Sequence, residues 1–343
     1  MRKRRPSATA HVIACSTVFL SHEPRYAHLV HALTVETSIW FMRAWSPVSR
    51  RLIGLMEQHW FRAVVAALER AMVPGIMLHY LLRKRWIEDR VRACLAEGVD
   101  QIVILGAGFD TLALRLHREF PHVRFFEMDH PATQQVKRRA SESRSMLGAN
   151  IHFIAANLTQ ESWERALLSQ SDFLDQANTL VIAEAVLMYL QPNDLDAIFK
   201  FLREHTDQHS RFLFTFMEPT DDGKISFRNA TRLLDSWLRW RGEPFTWGVR
   251  REALSSYLHE RGFSLQQLAT PETFRRQYCS PTLSAIPLAV GEYVCLAERS
   301  DSSTSSMRFP KYVCVEQSAF PNTTPLCLPH TVNSSSIAMN HRS

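Results

Sequence analysis

The apolar positions fall into two alternating patterns. Short uninterrupted runs, suited to strands buried on both faces, are separated by stretches in which apolar residues return every three or four positions. The runs at 101–105, 123–128, 151–155, 179–184, 211–217 and 292–297 predict strands, and 263–268 adds a seventh. Leu195, Ile198, Phe199 and Leu202 form a helical stripe behind Pro192-Asn193, a favourable helix start. Ile87, Val91 and Leu95 form another that ends at Gly98, and Leu254, Tyr257 and Leu258 a third, before Gly262. The chain before residue 75 is helical in tone, and 218–252 reads as an inserted helical segment expected to cover a site. Strands alternating with helices predict an α/β fold, a doubly wound, mostly parallel seven-stranded sheet with N-terminal helices and a late helical insertion.

Length and composition narrow the organisation. At 343 residues with 45% hydrophobic side chains, the chain can bury a substantial core. One domain is expected over 21–299. Residues 1–20, with Arg2-Lys3-Arg4-Arg5, are expected as a basic tail, and 300–343, rich in serine and without helical or strand period, as a disordered one. The net charge of +6 is spread along the chain without a recognised binding motif, so nucleic acid is not the expected partner. The six cysteines are scattered, with no C-x-x-C pair, which fits a reduced cytoplasmic protein. His205 and His209 stand four apart but lack a third ligand, and read as surface residues rather than a metal site. The apolar stretch 11–20 is interrupted by Cys15-Ser16-Thr17 with no cleavage site after it, and no segment reaches the ~20 apolar residues needed to span a bilayer.

The chemistry concentrates at predicted strand ends. The run 101–105 leads directly into Gly106-Ala107-Gly108-Phe109-Asp110-Thr111 and then a helical stretch. Glycines there allow a ligand to approach the backbone, and the helix that follows offers free N–H groups. Thr111 stands where a dinucleotide loop has its third glycine, so a ligand without a pyrophosphate fits better. The second strand ends Phe126-Glu127-Met128-Asp129, placing an acid about 20 residues beyond the loop, where a carboxylate accepts from ribose hydroxyls. Glu127 and Asp129 share a strand face, and spacing does not choose between them. Asp129 or His130 also suits the N-cap of a helix that has Pro131 early. Asn157-Leu158 and Glu184 close two further strands. The Asn157 amide can pair with an adenine edge, and Glu184 ends an apolar run where an unpaired carboxylate would be costly.

In this order the motifs resemble the leucine carboxyl methyltransferase-like family, and within it the large bacterial group of S-adenosylmethionine-dependent methyltransferases. Residues 101–111 are similar to the family's glycine loop, 126–134 to its acidic second-strand motif and 183–190 to its fourth-strand motif. The likeness extends to 82–88 upstream and to Gly242-Glu243-Pro244-Phe245 downstream, covering roughly residues 75–297. It implies a class I, Rossmann-like methyltransferase domain. It further implies S-adenosylmethionine held by Arg83 at its carboxylate, by Gly106, Ala107, Gly108 and Asp110 at the methionine part, by Asp129 at the ribose, where strand geometry alone leaves Glu127 as the alternative, by Asn157-Leu158 around adenine, and by Glu184 near the amino group. Asn157 stands where the family usually has Asp, and Ala185 where it usually has Gly.

Methyl transfer from a sulfonium is an in-line displacement that needs positioning and no catalytic nucleophile. O-methylation of a carboxylate or hydroxyl on a small metabolite is expected. A carboxylate is ionised already, whereas a hydroxyl needs a base, with Tyr189 and His130 as neighbours of the expected site. Rival readings are a protein carboxyl methyltransferase, a non-catalytic cofactor-binding protein, a nucleic-acid methyltransferase and an oxidoreductase, the last disfavoured by Thr111.

Overall fold

The structure, a computed structural model, describes residues 7–300 except 161 and 242. The basic run at 2–5 and the segment 301–343 lie outside the described residues.

Seven strands form one sheet: β1 (Gln101–Leu105), β2 (Arg124–Asp129), β3 (Ile151–Ala155), β4 (Thr179–Ala183), β5 (Arg211–Met217), β6 (Phe263–Ala269) and β7 (Glu292–Arg299). Their order is β3-β2-β1-β4-β5-β7-β6. The pairings among β1 to β5 are parallel, and β7 runs antiparallel to both β5 and β6. The apolar runs thus locate all seven strands, with ends shifted by a residue or two. β1 and β4 are buried at every position, which is why they read as continuous Ile/Val/Leu runs rather than alternating ones.

Five helices precede the sheet: α1 (Ala8–Ser21), α2 (Ala32–Trp45), α3 (Pro47–Met56), α4 (His59–Met72) and α5 (Ile76–Ala96). The crossovers carry α6 (Leu112–Leu116), α7 (Pro131–Glu142), α8 (Ser162–Leu168) and α9 (Pro192–His205), and after β5 come α10 (Arg232–Arg241), α11 (Arg251–His259), α12 (Pro271–Tyr278) and α13 (Pro281–Ser284). Pleating sends Ile102, Ile104 and Phe125 into one core with Phe41, Leu82 and Trp86, and Val103, Leu105 and Phe126 into another with Phe199, Leu202 and Leu254. The predicted stripes on α5, α9 and α11 supply Val91, Leu195 and Leu258 to these cores. Gly98, at φ +89°, closes α5.

Two expectations change. The N-terminal tail gives way at Ala8 to α1, whose Val18, Phe19 and Leu20 are buried and which packs on α2 and α5. Its buried side chains run consecutively from Ser16 to Leu20, so no amphipathic stripe announces it. The insertion is helical only over α10; Glu243 to Arg250 carry no regular structure, because Pro244 and Gly248 interrupt the period. No helix among the described residues is long and apolar enough to cross a membrane.

Because Phe19 is 4% exposed within α1, Phe19→Ala is expected to cost about 3–5 kcal/mol, measured by urea unfolding. An unchanged midpoint would mean that α1 contributes nothing to the core.

Candidate functional site

The carboxyl ends of β1 to β4 open onto one cavity of about 460 Å3, a size within the about 300–1,000 Å3 of small-molecule sites. It lies where the strand order turns back between β1 and β4, the place at which open α/β sheets receive ligands.

The loop after β1 is bent by two residues in the left-handed region, Gly106 at φ +63° and Gly108 at φ +51°. A side chain at Gly106 would also strike Val186, whose Cγ2 lies 2.4 Å from the position of its Cβ. Ala107 N–H donates to Met128 O at 2.9 Å and Gly108 N–H to Asp129 Oδ2 at 2.6 Å, so the β1 loop is sewn to the end of β2. Asp110 Oδ1 accepts from the amides of Thr111 and Leu112 at 2.6 and 3.1 Å. Burial pushes the Asp110 carboxyl up, but Lys84, Lys137 and Arg115 outweigh it and hold it at about 2.

The structure separates the two acids of β2. Asp129 is the last residue of the strand and lines the cavity. Glu127 lies one pleat deeper, in register with Ile104 and Phe153, and is fully buried 2.6 Å from Lys137 Nζ, which is itself fully buried. Glu127 is therefore not part of the cavity wall: both acids share a face, and depth along the strand decides which one reaches the cavity. His130 is the N-cap of α7, its Nδ1 accepting from Ala132 N–H at 3.3 Å.

Beyond β4, Glu184 Oε1 accepts from Arg83 Nε at 3.0 Å and Nη2 at 2.7 Å, and Oε2 from Lys84 Nζ at 3.0 Å. Arg83 turns its other arm to Glu292, with Nη1 at 2.7 and 2.6 Å from the two carboxylate oxygens. Arg83 is completely buried and, contrary to expectation, does not line the cavity; it stands behind Glu184. Lys84, its neighbour on α5, does line it, 3.4 Å from Asp110. Ala185 follows at φ +54°, a left-handed region strained for any residue with a Cβ and favourable to glycine.

Asn157 and Leu158 line the cavity after β3. Asn157 Oδ1 accepts from Thr159 N–H at 3.2 Å and Thr159 Oγ1–H at 3.0 Å, an Asx turn.

Several wall residues escape a reading of strand ends. Ser7, Thr9, Ala10 and Ile13 of the first turns around α1, Tyr189 after β4, and Glu243, Pro244 and Thr246 of the irregular segment all face the cavity. Ser7 N–H donates to Thr133 Oγ1 at 3.1 Å, and the Thr9 hydroxyl donates to Glu243. The sequence signals for these were the Gly-Glu-Pro-Phe motif and, for Tyr189, the 183–190 motif. Burial pushes the Tyr189 phenol far above its ordinary value.

A strand order with one antiparallel member and a cavity at the turning point define a class I methyltransferase fold. A DUF574 family protein from Streptomyces avermitilis shares the fold, with a TM-score of 0.50 at 10% identity over 84% of this chain and 97% of that one. Residues 8–203, more than half of the chain, match the family described as leucine carboxyl methyltransferase, and the chain belongs to that family. Its relatives include a "Putative S-adenosyl-L-methionine-dependent methyltransferase" of Mycobacterium sp. (strain JLS), 28% identical over 66% of this chain and 73% of the relative. A protein of the same description, YktD of Bacillus subtilis (strain 168), is 24% identical over 56% of this chain and 63% of its own length. The protein is an S-adenosylmethionine-dependent methyltransferase.

Burial pushes the Glu292 carboxyl up, but Arg83 and His79 outweigh it and hold it at about 2. The folded value lies below the unfolded one, so its stabilisation is present above about pH 4.5 and is lost as pH falls toward 2. Glu292→Gln is expected to make acid unfolding shallower across that window, followed by circular dichroism. Arg83→Met, which takes the guanidinium from the buried Glu292 and from Glu184, is expected to cost about 3–5 kcal/mol in urea; a loss below about 1 kcal/mol would show an exposed pair instead.

Proposed function

We propose that this cavity seats S-adenosylmethionine and that the protein methylates a carboxylate or hydroxyl oxygen of a small metabolite. In this reading Asp129 takes the ribose hydroxyls, Gly106, Ala107, Gly108 and Asp110 run beside the methionine part, Asn157 and Leu158 flank the adenine, and Glu184 meets the amino group. Arg83 acts at one remove by holding Glu184, and Lys84 is the cation left to face the cofactor's carboxylate. The observation that carries the reading is the convergence of the loop after β1 with Asp129, Asn157 and Glu184 on one cavity. The fit is chemical as well as spatial: the left-handed glycines bend the loop so that its backbone lines the cavity, and the carboxylates of Asp110, Asp129 and Glu184 complement a ligand that carries a sulfonium and an ammonium.

The bound cofactor supplies an electrophilic methyl carbon. What the chain contributes is alignment and exclusion of water. The first turn of α1 and the Glu243 to Thr246 segment roof the cavity, held together by Thr9 and Glu243, which favours a small acceptor over a protein chain. A carboxylate acceptor attacks as it stands. For a hydroxyl acceptor, Tyr189 is unsuited to take the proton because its phenol is pushed up, whereas Glu243 presents a carboxylate to the cavity.

Titration calorimetry with S-adenosylmethionine and S-adenosylhomocysteine is expected to show binding of both; binding of neither would overturn the reading. Asp129→Ala is expected to weaken both by about tenfold to a hundredfold, while wild-type affinity in that variant would remove Asp129 from the ribose. With tritiated methyl donor and a cell extract, label is expected in the filtrate of small molecules. Label confined to protein would favour protein carboxyl methylation.

A further inference from the structure

The orientation of one amide fixes how the cavity reads a base. Asn157 sits at the end of β3 in the cavity wall, and its Oδ1 is committed twice, to the backbone N–H and the hydroxyl of Thr159. The backbone donor decides the matter, because turning the amide over would set an NH2 group against the Thr159 N–H, donor against donor. No group among the described residues accepts from Asn157 Nδ2. The end of Asn157 left for a ligand is therefore its NH2.

Resting on the cofactor reading above, we infer that Asn157 meets the base of the cofactor as a hydrogen-bond donor, so that this pocket reads a ring nitrogen or a 6-oxo group and discriminates little between adenosyl and inosyl forms. A carboxylate at this position would do the reverse. It accepts from the exocyclic amine of adenine and faces the 6-oxo oxygen of hypoxanthine acceptor against acceptor. The NH2 of Asn157 finds no acceptor in that amine, and it does find one in adenine N1 or in the hypoxanthine oxygen. Every other contact that the base makes is common to an Asn and an Asp protein, so it cancels when the two are compared.

The test is calorimetric and requires no methyl acceptor. S-adenosylhomocysteine and S-inosylhomocysteine are titrated into the wild type, Asn157→Asp and Thr159→Val. The ratio of the two dissociation constants, inosyl over adenosyl, is expected to rise about tenfold or more in Asn157→Asp, one hydrogen bond gained and one mispairing created. Thr159→Val keeps the backbone N–H that orients the amide and is expected to leave the ratio at its wild-type value. The wild-type ratio is itself expected to lie near one, and a wild type that strongly prefers the adenosyl form would overturn the inference should Asn157→Asp fail to fold. An unchanged ratio in Asn157→Asp, with normal binding of S-adenosylhomocysteine, would overturn the role of Asn157 alone. Binding of neither ligand to the wild type would overturn the cofactor reading, and this inference with it.

Discussion

The Arg83 guanidinium ties three parts of the fold together. It projects from α5, grips Glu184 just past β4 with one edge and Glu292 at the start of β7 with the other, and no water reaches it. A cation taken so far from water is tolerable only when its charge and its N–H groups are met, and the two carboxylates do both. The consequence reaches the cavity. Glu184 is held in one place with Oε2 turned to Lys84, so the acid at the end of β4 is oriented before any ligand arrives. Arg83 is thus a positioning residue for the site rather than part of its wall.

A comparable arrangement lies under the next strand. Glu127 and Lys137 form a fully buried pair, with the ammonium 5.8 Å from the ring centroid of Phe41. That pair joins β2 to α7 below Asp129, and the burial of Glu127 pushes its carboxyl up to about 7 even beside Lys137. Each cavity-facing acid at the ends of β2 and β4 therefore has a buried charge near it that lies outside the cavity wall. The cost of burying those charges is accepted where exact placement of the exposed acid matters.

How much of this was legible in the sequence depends on which periodicity governs each part. β1 and β4 announce themselves as continuous apolar runs, and the glycine loop, Asp129, Asn157 and Glu184 follow from them because ligands collect at strand ends. Glu127, read from the same logic, and Arg83, which the resemblance put at the cofactor's carboxylate, are buried outside the cavity wall. A sequence motif reports that a charge is present, and only the depth of its neighbours reports whether it faces a ligand or another buried charge. α1 was illegible for a different reason, since its buried positions are consecutive and are satisfied by α2 and α5. Tyr189, Glu243 and Thr246 belong to segments shaped by single contacts, such as Thr246 N–H to Met188 O at 2.7 Å, and such contacts leave no period to read.

Placement also explains how a chain with no nucleophile in evidence can be an enzyme. In-line transfer of a methyl group rewards rigid alignment of two partners and the removal of water between them. The sheet supplies the alignment, because residues after β1 to β4 are fixed to its edge. Parts outside the sheet complete the wall: the start of α1, pinned to Thr133 through Ser7 and to Glu243 through Thr9, lines the same cavity. The two sides of the cavity wall are thereby carried by different elements. One is built on motifs tied to strand ends, while the other, made of α1 and the irregular segment before α11, lies outside the sheet and can vary without disturbing it.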